Sequence, residues 1–324
     1  MYHKIITHND FDGLVSATIC SYVFGVEKIL FAGPSTISKA EISITEDDIV
    51  CDLPYPLECG LWFDHHEGNL EELKYRNIDP QAIEGRFDLK PSCARVIWEY
   101  FGEKQVLPAH FEDCVAEADM IDAFNYSSVD DWRRETPGKI IDATIKARAE
   151  SPDEKRAYLR QLTLQLKHTP LAQVASQAKV QERYRQYQAE EEEMLRLIKE
   201  AAYFLPEDTT HQIIILDMTK HNRRPHIIKN LAYLLFPEAL SVVEIHNLFT
   251  RGLKSTNLSF AMSLSLNLNS VAHSKDIGEI MRRLNIGDGH PGAAAGTVYC
   301  SSKEAMLREK ERILKEIYRL WQQQ

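Results

Sequence analysis

Short apolar runs alternate with amphipathic ones through the first 125 or so residues, and this alternation is the first structural signal in the chain. The stretches HKIITH (3–8), KILFAG (28–33), DIVCDL (48–53) and GLWFDH (60–65) each have an apolar centre and polar edges. Such runs suit strands buried on both faces. Between and after them, DGLVSATICSYVFG (12–25) and PSCARVIWEYFG (91–102) repeat apolar residues at three- and four-residue spacing, which predicts helices. Pro91 suits a first helical turn and Gly102 a helix stop. Strands that alternate with helices imply an α/β fold built on a largely parallel sheet, with helices on both faces.

From about 130 to 203 the pattern becomes purely helical. RAYLRQLTLQLK places Leu159, Leu162 and Leu166 on one face, and EEEEMLRLIKE continues as a charged amphipathic run. The acidic run reads as a solvated helix face and the segment as a helical connector. Strand patterns return near 211 with HQIIILDM, LSVVEIHNL and LSFAMSLSLNLN (258–269), the last alternating as a half-exposed strand does. KNLAYLLF and KDIGEIMRRL read as helices, followed by a glycine-rich IGDGHPGAAAGTVY (286–299) and a terminal helix over 301–321. The expected organisation is a parallel-sheet domain over 1–130, a connector over 131–205 and a smaller α/β domain over 206–324. There are no internal repeats.

Composition narrows the function classes. A chain of 324 residues with 44% hydrophobic and 27% charged residues is an ordinary globular one. Its net charge of −10 supplies no overall basic field for a long polyanion. Any nucleic acid would have to be held locally. The six cysteines are scattered, without a CxxC pair, which argues against a disulfide scaffold or thiolate zinc site and for a reducing compartment. No apolar signal-peptide run opens the chain and no apolar stretch nears the ~20 residues of a membrane span. The expectation is a cytoplasmic protein.

The chemistry sits at the ends of the predicted strands. In THNDFDG (7–13), His8, Asp10 and Asp12 follow the first strand. Two readings compete: alternate residues lining one strand face, or a polar turn with an aspartate N-cap opening the next helix. Asp52 closes the third strand and Asp64-His65-His66 the fourth. Three strands thus end in carboxylate or imidazole at their carboxyl ends, the edge where open parallel sheets bind ligands. That coincidence points to a metal site.

HNDFDG, the isolated aspartate of CDLP, FDHHEGN and the later D-x-x-D-A-F (Asp119 to Phe124) stand in the order of four motifs. In this the chain resembles the DHH phosphoesterase superfamily, which includes RecJ-type exonucleases, oligoribonuclease-like enzymes, family II pyrophosphatases and exopolyphosphatases. IGDGHPGAAAG resembles the GGGH motif of the DHH-associated C-terminal domain. The resemblance implies an active-site cleft between two domains and two divalent ions, manganese first and magnesium second. Carried over by motif, His8 and Asp10 would hold one ion, Asp12, His65 and Asp122 the other, and Asp52 both. Asp64 would orient an imidazole, and His66 would donate to a phosphoryl oxygen or the leaving group. Asp119 competes with Asp122 for the fourth-motif role, while Glu117 reads as solvent-facing. Gly287, Gly289, His290 and Gly292 would form a backbone nest for the substrate's phosphate or sugar.

Two departures from the family bear on the substrate. Asp288 replaces the middle glycine of GGGH, and the strand before the motif, FAMSLSLN, lacks the arginine of oligonucleotide-cleaving members. Arg282, Arg283 or Arg251 are the available substitutes. The leading expectation is a metal-dependent phosphoesterase acting on a small nucleotide or short oligonucleotide, with no long nucleic acid and no membrane partner. Homodimerisation is left open. The alternatives are a RecJ-like single-strand exonuclease, a pyrophosphatase or exopolyphosphatase, and a non-catalytic nucleotide-binding regulator.

Overall fold

The apolar runs of the amino-terminal region become strands β1 (Lys4–His8), β2 (Ile29–Ala32), β3 (Asp48–Cys51) and β4 (Leu61–Asp64), and a short β5 (Gly85–Phe87) joins them. All pairings are parallel, in the order β2-β1-β3-β4-β5. The computed structural model describes residues 1–104, 106–268 and 272–324. β5 carries no apolar run and was not anticipated. It pairs because Gly85, at φ +120, lies where a Cβ would stand 2.0 Å from the carbonyl oxygen of Trp62.

Both sheet faces are covered, which is why β1 to β4 have apolar centres with no polar face. Ile5, Ile49, Cys51 and Phe63 point into the larger core, shared with helices α1 (Phe11–Phe24), α4 (Cys93–Gly102) and α5 (His110–Asp122). Ile6, Val50 and Trp62 point the other way, against Ile37 of α2 (Pro34–Ser38) and Leu73 of α3 (Glu67–Tyr75). Ser92 takes the N-cap of α4, accepting from Arg95 N–H, so Pro91 falls before the helix rather than in its first turn.

The helical stretch comprises α6 (Val129–Arg133), α7 (Pro137–Lys146), α8 (Pro152–Leu166), α9 (Leu171–Ala175) and α10 (Ala178–Ala201). The chain divides into two units, residues 1–125 with 133–188, and residues 126–132 with 189–324. Ile141, Leu159, Leu162, Leu166, Val174 and Val180 are buried in the same core as α1 and β1. Helices α7, α8 and α9 and the start of α10 therefore help build the first unit.

The second unit is a six-stranded mixed sheet in the order β10-β11-β9-β8-β7-β6. Its strands are β6 (Ala202–Tyr203), β7 (Ile213–Asp217), β8 (Ser241–Thr250), β9 (Leu253–Leu264), β10 (Gly287–His290) and β11 (Ala293–Val298). Only the β7–β8 pairing is parallel among the described residues. Val243, Ile245, Phe260 and Met262 pack on α12 (Ile277–Arg283) and α13 (Lys303–Gln322). KNLAYLLF forms a 3₁₀ turn and the short α11 (Ala232–Leu235) instead of one helix, since Pro237 disfavours helical backbone at Phe236. Asn269, the end of the 258–269 run, lies outside the described residues. No helix among the described residues is long and apolar enough to cross a membrane.

If α8 belongs to the core of the sheet-bearing unit, Leu162→Ala should cost about 2–5 kcal/mol of its stability. Urea unfolding followed by tryptophan fluorescence, to which Trp62 and Trp98 of this unit contribute, should show the midpoint fall. An unchanged midpoint would make α8 an appendage.

Candidate metal centre

The strand order reverses direction between β1 and β3, and the crevice at the carboxyl ends beside such a switch point is where a doubly wound sheet exposes backbone and side chains to a ligand. β1 ends at His8. The chain then turns through Asp10, whose carboxylate accepts from Gly13 N–H at 2.9 Å as the N-cap of α1. Asp12 follows in the first turn. His8, Asp10 and Asp12 are thus gathered by a strand–turn–helix junction, not along one strand face. The capping reading holds, and it is compatible with the metal reading. Gly13 makes the turn feasible, because a Cβ there would lie 2.2 Å from the carbonyl oxygen of His8.

Asp52 follows β3 in the left-handed region, at φ +57, with its N–H donating to Phe63 C=O at 2.9 Å. That backbone is sparsely populated for residues other than glycine. The side chain is 2% exposed, and neither carboxylate oxygen has a hydrogen-bond partner. Asp12, equally buried, is held by the N–H groups of Cys93 and Ala94 at 2.7 and 2.8 Å, the start of α4.

His65 has a defined tautomer. Its Nδ1 lies 3.0 Å from Lys90 C=O, and a carbonyl only accepts, so Nδ1 carries a proton and Nε2 is the ring nitrogen left to meet a ligand. Nε2 is buried without a hydrogen-bond partner. It sits 3.4 Å from Asp122 Oδ2, 3.6 Å from Asp52 Oδ1 and 3.7 Å from Asp12 Oδ2. His8 Nδ1 lies 2.5 Å from Asp10 Oδ2 and 3.7 Å from Asp52 Oδ2. Two ligand-sized groups follow, His8–Asp10–Asp52 and Asp12–His65–Asp122, and Asp52–His65–His66 forms a third.

The donor set fits divalent cations. Buried carboxylate oxygens without a hydrogen-bond partner, as on Asp52, are costly unless something positive meets them, and imidazole with carboxylate suits manganese or magnesium-like ions better than thiolate-seeking ones. Charge gives the same answer. Burial, then the carboxylates of Asp12, Asp10, Asp122 and Asp64, push the Asp52 carboxyl well above the usual range. Asp122 is also pushed well up, by burial and Asp12 against the opposing charge of His65, and Asp12 is raised chiefly by burial. Asp10 goes the other way despite its burial, since the hydrogen bond with His8 favours its ionised form.

No protein-family profile and no curated protein sequence matches the chain. Solved structures do. The pGpG-specific phosphodiesterase PggH of Vibrio cholerae superposes with a TM-score of 0.69 at 22% identity, over 97% of this chain and 98% of that one. A DHH domain from a member of the s1p family of ribosomal proteins gives 0.56 at 13% identity, over 98% and 86%. The exonuclease RecJ bound to manganese gives 0.53 at 15% identity, over 98% and 90%. This chain has the DHH-domain fold.

Within the DHH fold the third member of the motif, His66, is 46% exposed at its side chain, and its Nδ1 lies 2.9 Å from Asp64 Oδ1. The other oxygen of Asp64 accepts from Asn69 Nδ2 at 2.8 Å. Asp64 thus orients His66. The structure also separates the two aspartates of the fourth motif. Asp119 accepts from Ser92 Oγ at 2.7 Å and from Arg95 Nε and Nη2 at 2.9 and 2.5 Å, tying α5 to α4. Asp122 faces His65. Glu117 is not solvent-facing as expected: it is half-buried against α7, accepting from Thr136 Oγ1 at 2.7 Å.

The glycine element is a β-hairpin. Gly287 and Gly289 lie in extended β10, and none of Gly287, Gly289 and Gly292 has positive φ, so the expected nest does not form. Their lack of a side chain serves strand pairing: a Cβ would fall 1.9 Å from Ala295 O and 2.4 Å from Ala293 O respectively. His290 ends β10, exposed, and its Nδ1 accepts from Gly292 N–H at 3.1 Å. Asp288 is paired with Arg282 at 2.8 Å, and Arg282 also reaches Gly289 C=O. The substituted aspartate and the candidate replacement arginine neutralise each other. The eight metal-ligand and catalytic candidates belong to the first unit and the four hairpin candidates to the second.

Lys146 and Asp142 escaped the sequence reading. They form an i,i+4 pair on α7 at 2.5 Å, and the charge of Lys146 is felt by Asp10 and Asp122. Only the spacing of a carboxylate and a lysine on one helix face could have flagged them.

Two outcomes follow from this electrostatics. Asp52→Asn should stabilise the chelator-treated protein by about 1–2 kcal/mol, a rise of roughly 2–8 °C in unfolding temperature, while shrinking the stabilisation conferred by manganese. A drop in metal-free stability would contradict the crowding of charge. Asp122→Asn should weaken manganese binding in a calorimetric titration, whereas Asp119→Asn should leave it near wild type and cost about 1–3 kcal/mol of stability by stripping Arg95 and Ser92 of their acceptor.

Proposed function

We propose that the protein is a two-metal-dependent phosphodiesterase that hydrolyses dinucleotides and short oligonucleotides. The observation that carries this is the Asp52 carboxylate, buried with both oxygens unpartnered between His8–Asp10 on one side and Asp12–His65–Asp122 on the other. In this reading His8, Asp10 and Asp52 hold one ion, and Asp52, Asp12, His65 and Asp122 the second. Manganese is the first expectation and magnesium the next. Bound there, the ions would supply an activated water and stabilise charge on the phosphoryl oxygens.

The chain's own groups do the rest. Lys90 C=O fixes the His65 tautomer, and the α4 amides fix Asp12. His66 is held at Nδ1 by Asp64, which leaves Nε2 to present a proton to a phosphoryl or leaving oxygen. Burial pulls the His66 imidazole down, yet the hydrogen bond it donates to Asp64 and the charges of Asp64 and Asp12 bring it above its ordinary value. A proton-carrying ring suits that role.

Substrate size is argued from charge. A chain of net charge −10 gathers few phosphate contacts along a strand, and the similar fold of a pGpG-specific phosphodiesterase supports a short substrate. Similarity to RecJ over 98% of the chain favours a second reading, an exonuclease on longer strands. The six cysteines form no disulfide, which supports a reducing, cytoplasmic setting.

Salt separates the two readings. On single strands the logarithm of affinity falls about 0.7 per neutralised phosphate for each tenfold rise in salt. Incubated with manganese, two- to five-nucleotide oligomers should be cleaved faster per end than a 24-mer, and the rate should change little between 50 and 200 mM salt. Faster loss of the 24-mer, with activity collapsing in salt, would install the exonuclease reading instead.

A further inference from the structure

Two carboxylates compete for the His66 ring. Its Nδ1 lies 2.9 Å from Asp64 Oδ1 and 3.7 Å from Asp52 Oδ1, and a single N–H donates well to only one of them. The Asp52 oxygen is buried without a hydrogen-bond partner, so it is the acceptor with more to gain from the ring. It also lies 3.6 Å from His65 Nε2. A ring turned to Asp52 would cover an oxygen that, in the reading above, belongs to a metal ion.

The choice is settled behind Asp64. That carboxylate is fully buried, and its second oxygen accepts from Asn69 Nδ2 at 2.8 Å. Each oxygen of Asp64 therefore has its own donor, His66 at one and Asn69 at the other. Asn69 lies in the first turn of α3, and its backbone N–H donates to His66 C=O at 3.0 Å. One residue thus holds both the backbone of His66 and the acceptor of its ring. His66 is the N-cap of α3 but makes no side-chain capping bond, which leaves the ring to Asp64. Without the Asn69 amide a buried carboxylate oxygen would be stranded, at a cost larger than the net worth of the bond. Asp64 would turn to recover a donor and release His66 toward Asp52.

Resting on the phosphodiesterase reading above, we propose that Asn69 is a positioning residue that, through Asp64, holds the His66 ring off Asp52. Two consequences follow from one bond. His66 Nε2 stays presented to the substrate, and Asp52 Oδ1 stays open to a cation. Asn69 itself touches neither.

The test uses Asn69→Leu, which keeps much of the side-chain volume without its donor, beside Asn69→Ala. Manganese titrated calorimetrically into the chelator-treated protein should bind either variant about three- to tenfold more weakly, the scale of one competing hydrogen bond. Adding His66→Ala should return the affinity to that of His66→Ala alone, because the competing ring is gone. A general defect in α3 would not be restored in this way. Wild-type manganese affinity in Asn69→Leu, or a loss that His66→Ala leaves in place, would overturn the assignment. Turnover supplies a second cycle. On a dinucleotide, Asn69→Leu should lower kcat about tenfold or more with little change in KM, and should lower it no further in the His66→Ala background. Losses that multiply would mean that Asn69 acts independently of His66. If the wild type hydrolysed no dinucleotide or short oligomer, the phosphodiesterase reading would fail, and the manganese comparison would still decide Asn69.

Discussion

A buried carboxylate with nothing to bond to is the constraint around which the first unit is arranged. Asp52 has two unpartnered oxygens, left-handed backbone and like charges on several sides. Each feature is unfavourable for folding, and together they persist only where surrounding structure over-determines them. Its backbone N–H is locked to β4 through Phe63. Its neighbours are anchored from behind: Asp12 by the α4 amides, His65 by Lys90 C=O, His66 by Asp64, and α5 to α4 through Asp119 and Arg95. Those contacts fix the candidate ligand atoms facing one another. The arrangement suits cations and is unfavourable without them.

Much of this was legible because each element speaks in its own alphabet. Three apolar runs ending in His8, Asp52 and Asp64-His65-His66 could be placed on one sheet edge from alternation alone, since a parallel sheet buried on both faces demands apolar strands and puts their carboxyl ends together. Within the runs, neighbours such as Ile5 and Ile6 belong to opposite cores, a detail that periodicity does not carry. The choice between Asp119 and Asp122 could not be made from spacing, because one helical turn separates them. It took the position of Arg95, contributed by another helix, to claim Asp119. β5 was invisible for a different reason: it is three residues long and depends on a glycine that lets Trp62 approach.

The glycine-rich segment shows where a motif's letters mislead about mechanism. Glycine tolerates positive φ, and a phosphate nest needs it, but glycine also permits strands to pair where a Cβ would collide. In 286–299 the second use prevails: two extended strands meet at a turn, and Gly287 and Gly289 lie against the backbone of β11. The aspartate in place of a family glycine then has a local explanation, an ion pair with Arg282 that needs no ligand.

Pairing of that kind recurs in this chain, where ten more acids than bases leave carboxylates to spare. Arg282, Lys146, Arg95 and Arg183 each meet one. A cation neutralised within the chain keeps little charge for a substrate. In the proposed reading, attraction for a phosphate beside Asp52 would then fall to the ions held there, a grip confined to one place that needs no basic field along a strand.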